Sequence, residues 1–202
     1  MAGFAAIAKR AEDLLLGLPL LLLVSPLMLA IALAVRLTSP GPVLFVQPRR
    51  GLNRRIIRVR KFRTMAVEAA DGPGARQTVA GDARVTPLGR FLRRTSLDEL
   101  PQLLNVVEGS MSLVGPRPHA LGTAAAGRPF AEAAADYAGR HRVKPGMTGW
   151  AQVCGWRGET DTVEKLRRRV EHDLFYIAHW SLGFDLRILA MTLRTVIRGE
   201  GV

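Results

Sequence analysis

The stretch LLLGLPLLLLVSPLMLAIALAV, Leu14 to Val35, decides how the rest of the chain is read. It holds 22 residues without a charge, half of them leucine, and about 20 apolar residues suffice to span a bilayer core. A cleaved signal peptide fits poorly. Glu12 and Asp13 abut the run, the run is long, and no small-x-small cleavage pattern follows it. A buried helix of a soluble protein fits poorly as well, given the length and the leucine density. Residues 1–39 therefore read as a membrane segment with its flanks, and 40–202 as a separate domain beginning after Pro40-Gly41-Pro42.

Whether the segment crosses is a separate question. Ser25-Pro26 lies near its middle, where proline removes a backbone donor and clashes with the preceding turn. The serine hydroxyl can satisfy a carbonyl freed by that proline. Lys9 and Arg10 precede the run, and Arg36, Arg49, Arg50, Arg54, Arg55, Arg58, Arg60, Lys61 and Arg63 follow it. No acidic residue occurs between Asp13 and Glu68. Positive charge favours the cytoplasmic side, so both ends favour the same side. A helix-break-helix hairpin that enters and leaves one leaflet meets that demand. A kinked transmembrane helix is the other reading, and these residues alone leave both open.

The whole chain has 202 residues and a formal charge of +12. That balance asks for an anionic partner: nucleic acid, an acidic membrane surface or a phosphorylated substrate. The lone Cys154 excludes an internal disulfide framework and a cysteine-rich metal site. There is no helix-turn-helix cue, zinc-finger spacing or aromatic ladder among the arginines, so nucleic acid is not the expected partner. No P-loop and no Asp-x-Asp occur.

Val43–Gln47 and Ile56–Phe62 read as strands joined by a turn at Gly51-Leu52-Asn53. Asp71-Gly72-Pro73-Gly74 is a loop, and Gly81-Asp82 is flexible. Pro87–Arg94 reads as a short helix started by proline. Next come the adjacent carboxylates Asp98 and Glu99, and then Leu100, Leu103, Leu104 and Val107 at helical spacing, with Gly109 as the stop. Ser96-x-x-Glu99 matches a capping box. Pro101 argues against that register and places the helix start at Asp98, where the helix dipole and the nearby arginines favour an ionised carboxylate. On local physics alone, capping is the reading for Asp98. Arg117, between Pro116 and Pro118, sits in a stiff segment that suits a phosphate contact or a pair with an acid. Ala124–Tyr137 reads as a plain surface helix, and Asp161 as the cap of the helix that follows it. His172 and His179 read as packing residues. Leu182–Ile197 reads as an amphipathic helix with Leu186, Leu189, Leu193, Val196 and Ile197 on one face and Arg187, Arg194 and Arg198 on another. Such a helix lies in a membrane interface or packs on the domain.

KFRTM at 61–65, RRTSLDELPQLLNV at 93–106, SLVGPRPH at 112–119, HRVKPGMTGWAQV at 141–153, RGETDT at 157–162 and DLFYIAHWSLGFDLRIL at 173–189 together resemble the bacterial sugar transferases, the monotopic phosphoglycosyl transferases. The resemblance runs from the membrane segment nearly to the C-terminus. It implies an α+β fold: a re-entrant membrane helix broken at Ser25 and Pro26, and a small, mainly helical cytosolic domain with a short β-hairpin and interfacial helices. It implies that Asp98 attacks the β-phosphate of a UDP-sugar, that Glu99 helps bind Mg²⁺, and that undecaprenyl phosphate accepts the hexose phosphate. Glucose or galactose is the implied sugar, and exopolysaccharide synthesis at the bacterial inner membrane the implied setting. Lys61, Arg93 and Arg117 are the implied phosphate contacts, with Arg142, Lys144, Thr148 and Gln152 near the substrate; for Arg63 the local sequence leaves open a phosphate contact or a basic face on anionic lipid headgroups. The family's longer members carry extra N-terminal transmembrane helices. Cys154 stands where the family leads one to expect asparagine, and Gly183 where tryptophan is expected. A homodimer is compatible with the sequence, which carries no signal for or against it.

Overall fold

The computed structural model describes residues 3–66, 82–134, 136–158 and 160–197. The loop at 71–74, Gly81, Glu159 and Arg198 lie outside the described residues. In chain order the helices are α1 Phe4–Thr38, α2 Pro87–Arg94, α3 Gln102–Glu108, α4 Phe130–Ala133, α5 Trp150–Val153, α6 Val163–Ala178 and α7 Leu182–Ile197. The strands are β1 Leu44–Arg50, β2 Ile56–Phe62, β3 Ser112–Val114, β4 Ala124–Ala125, β5 Arg128–Pro129 and β6 Gly146–Thr148. Antiparallel β1–β2 forms the hairpin read from the sequence, in register from Leu44 opposite Phe62 to Arg50 opposite Ile56. β3 and β6 pair in parallel, and β4 and β5 antiparallel.

α1 is one helix of 35 residues and is not interrupted at Ser25–Pro26. Pro26 leaves the Leu22 carbonyl without its usual donor, and the Ser25 hydroxyl donates to that carbonyl at 2.8 Å. The expected break is thus absorbed inside a continuous helix. Only 11% of the most apolar window of α1 is buried, so the run is not the core helix of a soluble domain. One stripe is covered: Lys9, Asp13, Gly17, Leu21, Val24, Met28, Ile31 and Val35 follow at intervals of three or four. Leu21 and Val24 pack on the core of Val59, Leu103, Val106, Met111, Val114, Tyr176 and Ile188. Ile31 and Val35 pack with Phe62 and Leu92. The opposite face carries exposed leucines from Leu15 to Leu37. Described residues of β2, α2, α3, β3 and α7 therefore line α1 from Lys9 to Val35.

Both ends of α1 are tied by charge. Lys9, buried, meets Asp185 of α7 at 2.8 Å and Glu12 and Asp13 at 3.2 Å. Asp13 accepts from the Ser112 hydroxyl and the Leu113 N–H of β3. At the far end, buried Arg63 donates to the carbonyls of Val35, Ser39 and Pro40, which satisfies carbonyls that a helix end leaves open.

The helix–sheet joint uses an amide. Asn105 of α3 accepts from the Arg60 N–H at 3.1 Å and donates to the Arg58 carbonyl at 2.8 Å, pairing the edge of β2 much as another strand would. α2 begins at Pro87 as read, with Thr86 accepting from the Gly89 N–H. α3 ends at Gly109, whose φ of 86° is left-handed.

Three expectations are corrected. α3 starts at Gln102 with Pro101 as its cap residue, and neither Ser96 nor Asp98 caps it. Pro101 does sit where its missing donor costs nothing, but the helix start lies three residues later than read; Leu97–Glu99 form a separate 3₁₀ turn. Ala124–Tyr137 is not a surface helix. Gly127 at φ 75° and Pro129 break it into a two-residue hairpin and a short helix, and Ala125, Phe130 and Tyr137 are core residues with Leu166 and Val170. Thr162, not Asp161, caps α6, accepting from the Lys165 N–H.

Gly89 lets α2 lie directly against the chain after β2: a Cβ there would stand 2.1 Å from the Thr64 carbonyl oxygen. Gly89→Ala is expected to destabilise the protein by about 1–3 kcal/mol, as overpacking does, read from the denaturation midpoint in detergent. An unchanged midpoint would show that this approach is not tight.

Candidate active site

The acid pair is reached through a strained turn. Ser96 adopts a left-handed φ of 58°, uncommon for a residue other than glycine. It turns the chain out of α2 so that Asp98 and Glu99 face β2 and the segment after β3. That segment is fixed from two sides. Arg49 of β1 donates to the Pro118 carbonyl at 2.6 Å. Arg140 donates to the Arg117 carbonyl at 2.7 Å and grips Asp173 of α6 at 2.6 and 3.0 Å. Both Arg140 and Asp173 are buried. Arg140 also donates to Nδ1 of His119, at 2.6 Å. Burial, then Arg140 and three further arginines, push the His119 ring well below the usual histidine range, so it is neutral.

The two carboxylates are held in opposite ways. Glu99 accepts from Lys61 at 2.7 Å and is gripped by both terminal nitrogens of Arg117, one of them at 3.1 Å from Oε2. Burial alone would raise its pKa, but Arg117 and Lys61 overcome that and hold it well below the usual carboxylate range. Asp98, 6% exposed, accepts no hydrogen bond on its side chain among the described residues, and its nearest cation is Lys61 at 4.0 Å. Burial raises its pKa, Lys61 and Arg93 oppose the rise, and Glu99 adds to it. The expectation that a helix dipole keeps Asp98 readily ionised is therefore corrected. Asp98 is the under-partnered acid, and Glu99 is the committed anion.

Lys61, Arg93 and Arg117 gather at the pair as expected, with Arg93 donating to the Thr64 hydroxyl at 2.8 Å. Arg63 does not join them, since its guanidinium is spent on the end of α1. Thr148 meets Thr192 of α7 at 2.7 Å. Gln152 carries a buried Oε1 without a partner. Arg142 and Lys144 line a different cavity beside the start of α1. Three groups were missed by the sequence reading. Arg49, buried near Arg117 and Glu99, is pushed down to about 10 by burial first and Arg117 second; the sequence offered it only as one charge among nine. Arg140 and Asp173 carried no local signal, since their pairing joins residues 33 apart.

Elsewhere, His172 and His179 each meet the backbone carbonyl four residues earlier. Cys154 ends α5, part-buried. A Cβ on Gly183 would meet nothing within 4 Å, so a large residue fits that position facing outward. α7 buries Asp185 and Ile188 and exposes Leu182, Leu186, Leu193 and Val196.

The family model for bacterial sugar transferase matches residues 4–199. The chain belongs to that family. It is 52% identical over 96% of its length to the UDP-glucose:undecaprenyl-phosphate glucose-1-phosphate transferase of Escherichia coli (strain K12), covering 41% of that protein. It is 53% identical over 94% of its length to the undecaprenyl-phosphate glucose phosphotransferase of Komagataeibacter xylinus, covering 36% of it. With the exopolysaccharide production protein PSS of Rhizobium leguminosarum bv. phaseoli it shares 47% identity over 96% of this chain and 98% of the relative. The chain thus spans about two fifths of the first two relatives and nearly all of the third.

An attacking carboxylate must be ionised, so a reaction in which Asp98 attacks is predicted to keep its full rate above the raised pKa of Asp98 and to lose it as pH falls through that pKa, with an acid limb above that of an ordinary aspartate. Lys61→Met removes the cation opposing the rise, and the acid limb of the single-turnover rate is expected to move to higher pH. A limb that stays or moves down would assign it to another group.

Proposed function

We propose that the chain transfers glucose 1-phosphate from UDP-glucose to undecaprenyl phosphate through a covalent intermediate on Asp98. The observation that carries this reading is the asymmetry of the acid pair. A nucleophile needs a carboxylate oxygen that no side chain occupies, and Asp98 has it beside Lys61 and Arg93. Glu99 lacks it.

In the proposed first step an Asp98 oxygen attacks the β-phosphorus of UDP-glucose. A P–O bond forms, the bond from the β-phosphorus to the bridging oxygen breaks, and UMP leaves with the electron pair. In the second step a phosphate oxygen of undecaprenyl phosphate attacks the same phosphorus. Asp98 is released and undecaprenyl diphosphate-glucose forms. Little covalent chemistry falls to the other side chains; they position and neutralise phosphate oxygens. Lys61, Arg93 and Arg117 stand where those oxygens come, and Arg49 and Arg140 keep the Arg117 segment still. Glucose as the sugar rests on the names of the two relatives that share over half of their aligned residues with this chain.

The donor set suits Mg²⁺, which takes one or two carboxylates and completes its shell with substrate phosphates and water. Among the described residues no group of three or more His, Cys, Asp or Glu could hold a metal unaided. Glu99 would hold the ion through Oε2, which keeps a lone pair beside its contact to Arg117, with Asp98 as the adjacent oxygen donor. When bound, the ion neutralises charge on the phosphates.

The anchoring we propose is monotopic, on the cytoplasmic face of the bacterial inner membrane, with residues 40–202 as the catalytic unit. Covered contacts run the full length of α1, and both of its ends are tied to the same body. A straight crossing would pull one end of the helix away from that body. Its exposed leucines and the apolar stripe of α7 are the surfaces offered to lipid.

Incubation with UDP-glucose, Mg²⁺ and undecaprenyl phosphate is expected to release UMP. Release of UDP would exclude this reaction class. Asp98→Asn is expected to abolish covalent labelling by the sugar phosphate, and a persisting label would refute the nucleophile. Cysteines placed at positions 3 and 50 should react with an impermeant thiol reagent from the same side of the membrane; opposite sides would establish a crossing helix.

A further inference from the structure

At the foot of α1 a cavity opens between Ala6, Arg10 and Asp13 of the helix and the segment 142–144. None of Lys61, Asp98, Glu99 or Arg117 lines it. Its charge is unbalanced. Lys9, also in the wall, is spent on Glu12, Asp13 and Asp185. Arg10 donates to the carbonyls of Val106 and Val107 at 2.6 Å, contacts that leave its charge uncancelled. Arg142 and Lys144 have no carboxylate at ion-pair distance among the described residues. Lys144 is part-buried; burial first, then Arg10, lower its pKa, and Asp13 opposes them in part. An incoming anion would relieve that repulsion.

A second requirement comes from Asp13. Its Oδ1 is fully used, but its Oδ2 is buried with no hydrogen-bond partner. A bare anion would face that oxygen unfavourably, so the occupant must also bring an N–H or O–H donor. A third comes from the neighbours of Ala6. Phe4 and Ile7 are 85% and 69% exposed on the end of a helix that is apolar beyond Asp13. Apolar side chains beside cations fit a molecule with a charged head and a hydrocarbon tail.

We propose that this cavity binds the head group of a membrane phospholipid, with the phosphate on Arg142 and Lys144 and the head group's ammonium or hydroxyl on Asp13. The site is separate from the acid pair and does not depend on the sugar chemistry proposed above. It pins the start of α1 at the depth of the lipid phosphates.

The test uses the full chain in neutral detergent, with bound lipid counted by native mass spectrometry. Short-chain phosphatidylethanolamine and phosphatidylglycerol carry the donor, and phosphatidylcholine does not. The first two are expected to bind about tenfold more tightly than the third, the loss of one charge-assisted hydrogen bond. Arg142→Gln with Lys144→Gln should weaken phosphatidylethanolamine binding about tenfold or more. Arg142 is exposed and Lys144 part-exposed, and an unchanged melting curve of the double variant confirms that it is folded. Lys61→Met should leave lipid binding unchanged. Equal binding of all three lipids, or no effect of the folded double variant, would overturn the proposal. Displacement by inorganic phosphate would make the cavity a soluble-anion site. Binding of undecaprenyl phosphate, and not phospholipid, lost in the double variant would make it an acceptor site. Either outcome overturns the proposal.

Discussion

Glu99 held between Lys61 and Arg117 is the contact on which the rest of the site depends. It joins β2, the turn after α2 and the segment after β3 at one point. A part-buried, multiply bonded carboxylate of this kind is costly to disrupt, because removing a partner strands a charge. The same contact occupies the cations that would otherwise fall on Asp98. Two chemically similar acids side by side thereby acquire different electrostatic lives: Glu99 is committed, and Asp98, the more buried of the two, is left available.

The membrane helix belongs to the same body. Its covered stripe begins with Lys9 and Asp13 and ends with Val35, and the acid pair sits beyond that end, where Leu97 and Leu100 pack against the cluster of Ile31, Val35, Phe62 and Leu92. Arg63 illustrates the coupling. Its neighbours in sequence, Lys61 and Thr64, serve the site, while Arg63 closes the end of α1. The stretch Lys61–Thr64, at the end of β2 and just beyond it, therefore touches both the end of α1 and the acid pair.

Much of this was legible from local pattern. The hairpin followed from alternation around Gly51, α2 from Pro87, the end of α3 from Gly109, and the bond from Ser25 to Leu22 from the donor that Pro26 lacks. Local pattern failed where tertiary contacts decide. The alanines at 124–135 have high helix propensity, yet Ala125 and Phe130 are claimed by the core under α6, and Gly127 and Pro129 permit the turn. The weighting of Asp98 toward capping failed because Pro101 itself occupies the cap position. Arg63 could not be told from Lys61, since both are basic residues next to a strand; only the position of α1 separates them. The grip of Arg140 on Asp173 had no signature at all, being a contact between distant segments.

The contact between Lys9 and Asp185 has a consequence for how the chain is made. The two residues are 176 positions apart, and Asp13 meets Ser112 across a further long interval. Because synthesis runs from the N-terminus, α1 emerges before α7. Until then Lys9, Glu12 and Asp13 lack their distant partners, at the head of a segment that already has affinity for lipid. Insertion and closure are therefore separate events in time. The charged foot of α1 is sealed only once α7 has emerged and Asp185 has met Lys9.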